Sequence, residues 1–66
     1  MTVNEERAAR VLPLLETYDG DYDFDASVTD ALTDLRHFCH LHDVHFADAL
    51  ARSETHFQME VLEAIA

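Results

Sequence analysis

The chain has 66 residues, a length at which folding hides only about 60% of the surface the unfolded chain exposes; a multidomain enzyme, a dinucleotide-binding sheet and a barrel are excluded. Fourteen Asp and Glu face four Arg, with no Lys, for a net charge of −10. That field repels phosphates, which excludes direct binding to nucleic acid or to an anionic membrane surface and favours a cation or a basic protein, while a hydrophobic content of 48% is that of a folded chain.

Three helices are expected. Thr2-Val3-Asn4-Glu5 fits a capping box that opens the first. Ala8, Val11, Leu12, Leu15 and Tyr18 recur on one face of it. Pro13 lacks an N–H and crowds the carbonyl of Ala9, so a kink or break is expected there, and the helix should stop near Asp19-Gly20. The second helix is expected to start at Ser27, with Val28, Ala31, Leu32, Leu35, Cys39 and His42 inward and Asp30, Thr33, Asp34, His37 and His40 toward water. A turn at Asp43-Val44-His45 leads to a third helix from Phe46 to about Ala64, with Phe46, Leu50, Ser53, Phe57, Val61 and Ala64 as its stripe. So short a connection forces the last two helices antiparallel. The expected fold is all-α, a small three-helix bundle over residues 1–66 whose last two helices form a hairpin. Phe38, Leu41 and Met59 fall outside the stripes and either pack on the first helix or form an apolar contact patch.

One cysteine, Cys39, excludes an intrachain disulfide and suits a reducing compartment. The longest apolar run, Val11 to Leu15, is far short of the roughly 20 residues of a membrane helix. The acidic N-terminus is unlike a secretory signal, so a cytoplasmic location is expected.

Asp34-Leu35-x-His37-x-Cys39, followed by Phe46-x-x-Ala49-Leu50-x-x-Ser53-x-x-His56-Phe57-x-x-Glu60, resembles small helical proteins carried by phages, plasmids and other mobile DNA. The likeness spans the C-terminal half, with Asp43 where a turn Gly is usual and His45 where an Asp usually caps the last helix. In size, helicity and charge the chain is similar to type I anti-CRISPR proteins, which bind the DNA-recognition complex or its nuclease. The resemblance implies an inhibitor acting inside a bacterial host cell.

The segment Asp19-Gly20-Asp21-Tyr22-Asp23-Phe24-Asp25 carries alternate carboxylates. Counted from Asp19, ligands fall at the EF-hand positions through Ser27 to Asp30, but Phe24 stands where the loop needs Gly and Asp30 where a longer Glu chelates. If the segment is extended instead, Asp19, Asp21, Asp23 and Asp25 point to one side at roughly 6.6 Å spacing. Glu16, Asp30 and Asp34 would prolong that row, with Tyr22 and Phe24 turned into the bundle. Lys and Arg in a nucleic-acid groove would be drawn to such a row as to phosphates. A solvated acidic loop, or the general acidity of a high-salt proteome, is the plain alternative. High-salt adaptation spreads acids evenly, however, and here four of fourteen lie within seven residues.

The histidines do not converge on a metal site. His37 with His40, and Cys39 with His42, share faces at the end of the second helix, where partial positive charge suits the helix dipole. His56 and Glu60 lie too far along the hairpin to join them. Cys39 sits in an apolar stripe, and no nucleophile triad or phosphate-binding loop appears, so neither catalysis nor a cofactor is expected. The expected role is an interaction protein with Glu16, Asp19, Asp21, Asp23, Asp25, Asp30 and Asp34 at the contact. The expected partner is a basic nucleic-acid-binding protein such as a type I CRISPR effector complex. A calcium module built on residues 19–30 and a structural oligomerisation hairpin are the alternatives.

Overall fold

The computed structural model describes residues 1–18 and 23–65, and every described regular element is helical. The elements are α1 (Val3–Ala9), α2 (Leu12–Leu15), α3 (Phe24–Leu41) and α4 (Phe46–Ile65). The first expected helix is broken into α1 and α2, giving an all-α three-helix bundle whose last two helices form the hairpin.

Thr2 caps α1 as its sequence predicts: the Glu5 N–H donates to Thr2 Oγ1 at 3.1 Å. The Thr2 hydroxyl also lies 3.1 Å from the Glu5 carboxylate, to which it donates. The chain bends at Arg10-Val11, and Pro13 sits in the first turn of α2, where its missing N–H costs nothing. α2 ends at Leu15, one turn earlier than expected. The break lets α1 and α2 serve different neighbours. α1 touches α4 and α2, α2 touches α3, and α3 touches α4, with no diagonal contact among the described elements.

α3 begins at Phe24 rather than near Ser27. The Asp23 carboxylate accepts from the Ala26 N–H at 3.3 Å. Ser27, expected as the cap, is instead buried one turn inside. At the other end the Val44 N–H donates to the Cys39 carbonyl at 3.0 Å, closing a Schellman turn. Asp43, at φ 56°, fills the left-handed position that a Gly would take without strain. Arg36 lies over the Phe46 ring at 4.8 Å and ties the start of α4 to α3.

Ring-like connectivity leaves the molecule flat, at 38 × 31 × 15 Å. Its radius of gyration is 13.8 Å, against about 10.8 Å for a compact chain of this length. Among the described residues only Ser27, Ala31 and Cys39 are buried. The stripes assigned to the interior are thus covered on one edge only. Val28, Leu32 and Leu35 on α3 and Leu50, Phe57 and Val61 on α4 are all exposed, as are Phe24, Phe38, Leu41 and Met59.

Candidate functional site

Residues 11 to 35 contain seven carboxylates, half of those in the chain, and no Arg. Asp19 and Asp21 lie outside the described residues, as does the part of the expected row that they begin. The other five, Glu16, Asp23, Asp25, Asp30 and Asp34, are exposed. Their geometry differs from an extended row. Asp23 is spent on the N-cap of α3, and Asp25 lies in the first helical turn, so the two do not continue an alternating strand. At 100° per residue Asp25 also falls on the far side of α3 from Asp30 and Asp34. Phe24, expected to point into the bundle, is exposed.

Asp30 and Asp34 are one helical turn apart, with side chains about 5–6 Å from one another. The Tyr18 hydroxyl donates to Asp34 Oδ2 at 2.6 Å, fixing the end of the α2 arm against this flank. That hydrogen bond raises the Tyr18 pKa, helped by partial desolvation and by the negative charges of Asp34 and Asp30. The phenol therefore stays protonated and remains a donor. Sequence periodicity places Tyr18 only on an apolar stripe. Its partner is sixteen residues away and no local pattern announces the bond.

Of the four Arg, Arg7 and Arg36 are engaged elsewhere. Arg7 Nε pairs with Glu60 Oε2 at 3.1 Å, and Arg7 Nη1 donates to Asn4 Oδ1 at 2.7 Å. Asn4 Nδ2 in turn donates to the Glu60 carbonyl at 3.2 Å, so this cluster fastens α1 to α4. It is the one ion pair among the described residues, and Asp30 and Asp34 are not part of it. Glu60 is thereby committed and His56 has lost the second half of its candidate pair. Phe38 and His42 stack at 4.3 Å. Among the described residues no three metal-ligating side chains gather. For the EF-hand alternative, residues 24–30 form regular helix from the sixth loop position onward, so that part does not wrap around a central ion.

The described helices include none long and apolar enough to cross a membrane. No family model, curated protein or solved structure matches the chain.

Proposed function

We propose that the chain is a non-enzymatic interaction protein that occupies the polynucleotide groove of a basic, nucleic-acid-binding protein. Its finer form is a phage-borne inhibitor of the anti-CRISPR kind acting on a type I effector complex in the bacterial cytoplasm. The observation that supports this reading is the run of seven carboxylates without a cation between residues 11 and 35. Within it, exposed Asp30 and Asp34 are set one turn apart and braced by Tyr18. A partner's Lys and Arg would meet this flank through long-range attraction that salt screens.

Duplex DNA binding by a type I effector complex, followed by mobility shift with increasing amounts of the chain, tests the reading. Inhibition is expected to be competitive with DNA and to weaken as salt rises. Glu16→Lys with Asp30→Lys, both at exposed positions, should raise the inhibitory concentration about tenfold or more, since like charges would then face one another. Absent or non-competitive inhibition, or a double variant as potent as the parent, would overturn it.

A further inference from the structure

The arms α1 and α2 meet the rest of the molecule in different ways. α2 lies against α3, and just beyond its end Tyr18 is bonded to Asp34. α1 has no buried residue, and Val3, its one large apolar side chain, is 59% exposed. It rests on α4 through polar groups alone: the Arg7–Glu60 ion pair at 3.1 Å, the Arg7–Asn4 hydrogen bond at 2.7 Å and the Asn4 bond to the Glu60 carbonyl at 3.2 Å. Beside this cluster Ala8 faces Ser53, Phe57 and Val61 across a cleft of about 490 Å³. The apolar surfaces that two docked helices would press together are thus held apart. Thr2 and Val3 border a second recess with Glu63 and Ala64, so α1 runs antiparallel to α4 and its positive end lies by the negative end of its neighbour.

We infer that α1 is a releasable strap over the Phe57–Val61 stretch of α4, helical only while the latch of Arg7, Glu60 and Asn4 is closed. Its seven residues are too few to hold a helix alone, since isolated helices shorter than about 12–15 residues are marginal in water. Helicity here therefore comes from docking, and the docking is electrostatic. The Arg7 side chain is 42% exposed and that of Glu60 28%, so water and salt reach the pair and weaken it. Charge supplies the pull. Residues 1–10 hold two of the four Arg against two Glu, whereas residues 11–66 hold twelve acids against two Arg. A hinge is built in as well: the helix breaks at Arg10-Val11, and Tyr18 keeps the end of α2 on Asp34 when α1 lets go. Opening uncovers Phe57 and Val61, the latter 37% exposed with the strap in place. Strap and acidic flank share no residue, and either works without the other.

Hydrogen exchange of the full chain, read segment by segment, tests the strap. The amides of Glu6 to Arg10, which close the turns of α1, should be protected about tenfold less, or weaker still, than those of Ala31 to Leu35 in the middle of α3. From about 0.1 to about 1 M salt, α1 protection should fall about two- to fivefold as the latch is screened, while α3 protection holds or rises as its own carboxylates repel less. Glu60→Gln should speed α1 exchange by about the same two- to fivefold, the loss of a partly exposed ion pair, and leave α3 unchanged. Glu54→Gln makes the same charge change at an exposed position away from the cleft and should alter neither. Equal protection of α1 and α3, α1 exchange that ignores salt and Glu60→Gln, or α1 and α3 loosening together in Glu60→Gln would overturn the inference. Should Glu60→Gln not fold, the salt response of the parent decides.

Discussion

The two flanks of α3 are drawn from the same eighteen residues and carry opposite chemistry. On one, Asp30 and Asp34 stand in solvent beside the Tyr18 hydroxyl. On the other, Val28, Leu32 and Leu35 stand equally open with no polar function. Between them runs a buried line through Ser27 and Ala31, both small, while the third buried residue, Cys39, falls on the apolar side near the end of the helix. Small inward residues let neighbouring arms approach closely but cover little apolar area, so the large side chains are displaced onto a flank. Net charge and hydrophobic content, both averaged over the chain, conceal this division. An acidic protein can keep an apolar flank when most carboxylates of the same helix, here all but Asp25, collect on the other side.

The largest expected effect comes from placing a cation on each flank in turn. Leu35→Lys, at a position about half exposed, should cost about 1 kcal/mol, roughly half of what full burial of a Leu side chain contributes, and shift the urea midpoint down accordingly. Asp30→Lys, on exposed surface, should stay within about 0.5 kcal/mol. Equal costs at the two positions would erase the distinction between the flanks.

A smaller effect is expected at the turn that follows α3. A left-handed conformation costs a non-glycine residue about 1–2 kcal/mol, less for Asp, and glycine's extra freedom when unfolded takes back about 0.4–1 kcal/mol. Asp43→Gly, at φ 56°, should therefore gain about 0.5 kcal/mol and raise the melting midpoint slightly without moving either flank. A loss of stability would show that the Asp43 side chain supports the turn.

The smallest effect concerns the brace on the acidic flank. Tyr18 has a raised pKa in the folded chain, caused first by its hydrogen bond to Asp34. The native state therefore keeps the phenolic proton longer than the unfolded state does. The linked stability is complete below the ordinary phenol value of about 10 and is lost as pH rises through the higher folded value. Ultraviolet titration should show the phenol that Tyr18→Phe removes ionising above that ordinary value. Asp34→Asn should bring it back down. An unshifted phenol would mean that the α2 arm does not rest on Asp34 in solution.

Much of the chain path was legible because its signals are local. The Thr2 cap, the break around Pro13, the turn at Asp43 and the extent of α4 each follow from chemistry within about four residues. The start of α3 was ambiguous for the same reason. Asp23 and Ser27 are both capping residues, and the structure uses the earlier one, which lengthens the helix and brings Ser27 into the buried line. Of the acidic row, Asp30 and Asp34 keep a shared exposed flank, whereas Asp23 and Asp25 are taken into the helix start.

Sequence by itself determined that the chain is helical, where its helices break, and how strongly negative it is, because periodicity, capping and charge are properties of neighbouring residues. Tertiary structure alone decided which stripe turns inward and that the arms lie flat. Those outcomes depend on contacts such as Tyr18 with Asp34 and Arg7 with Glu60, whose partners are too far apart along the chain for any local pattern to encode their meeting.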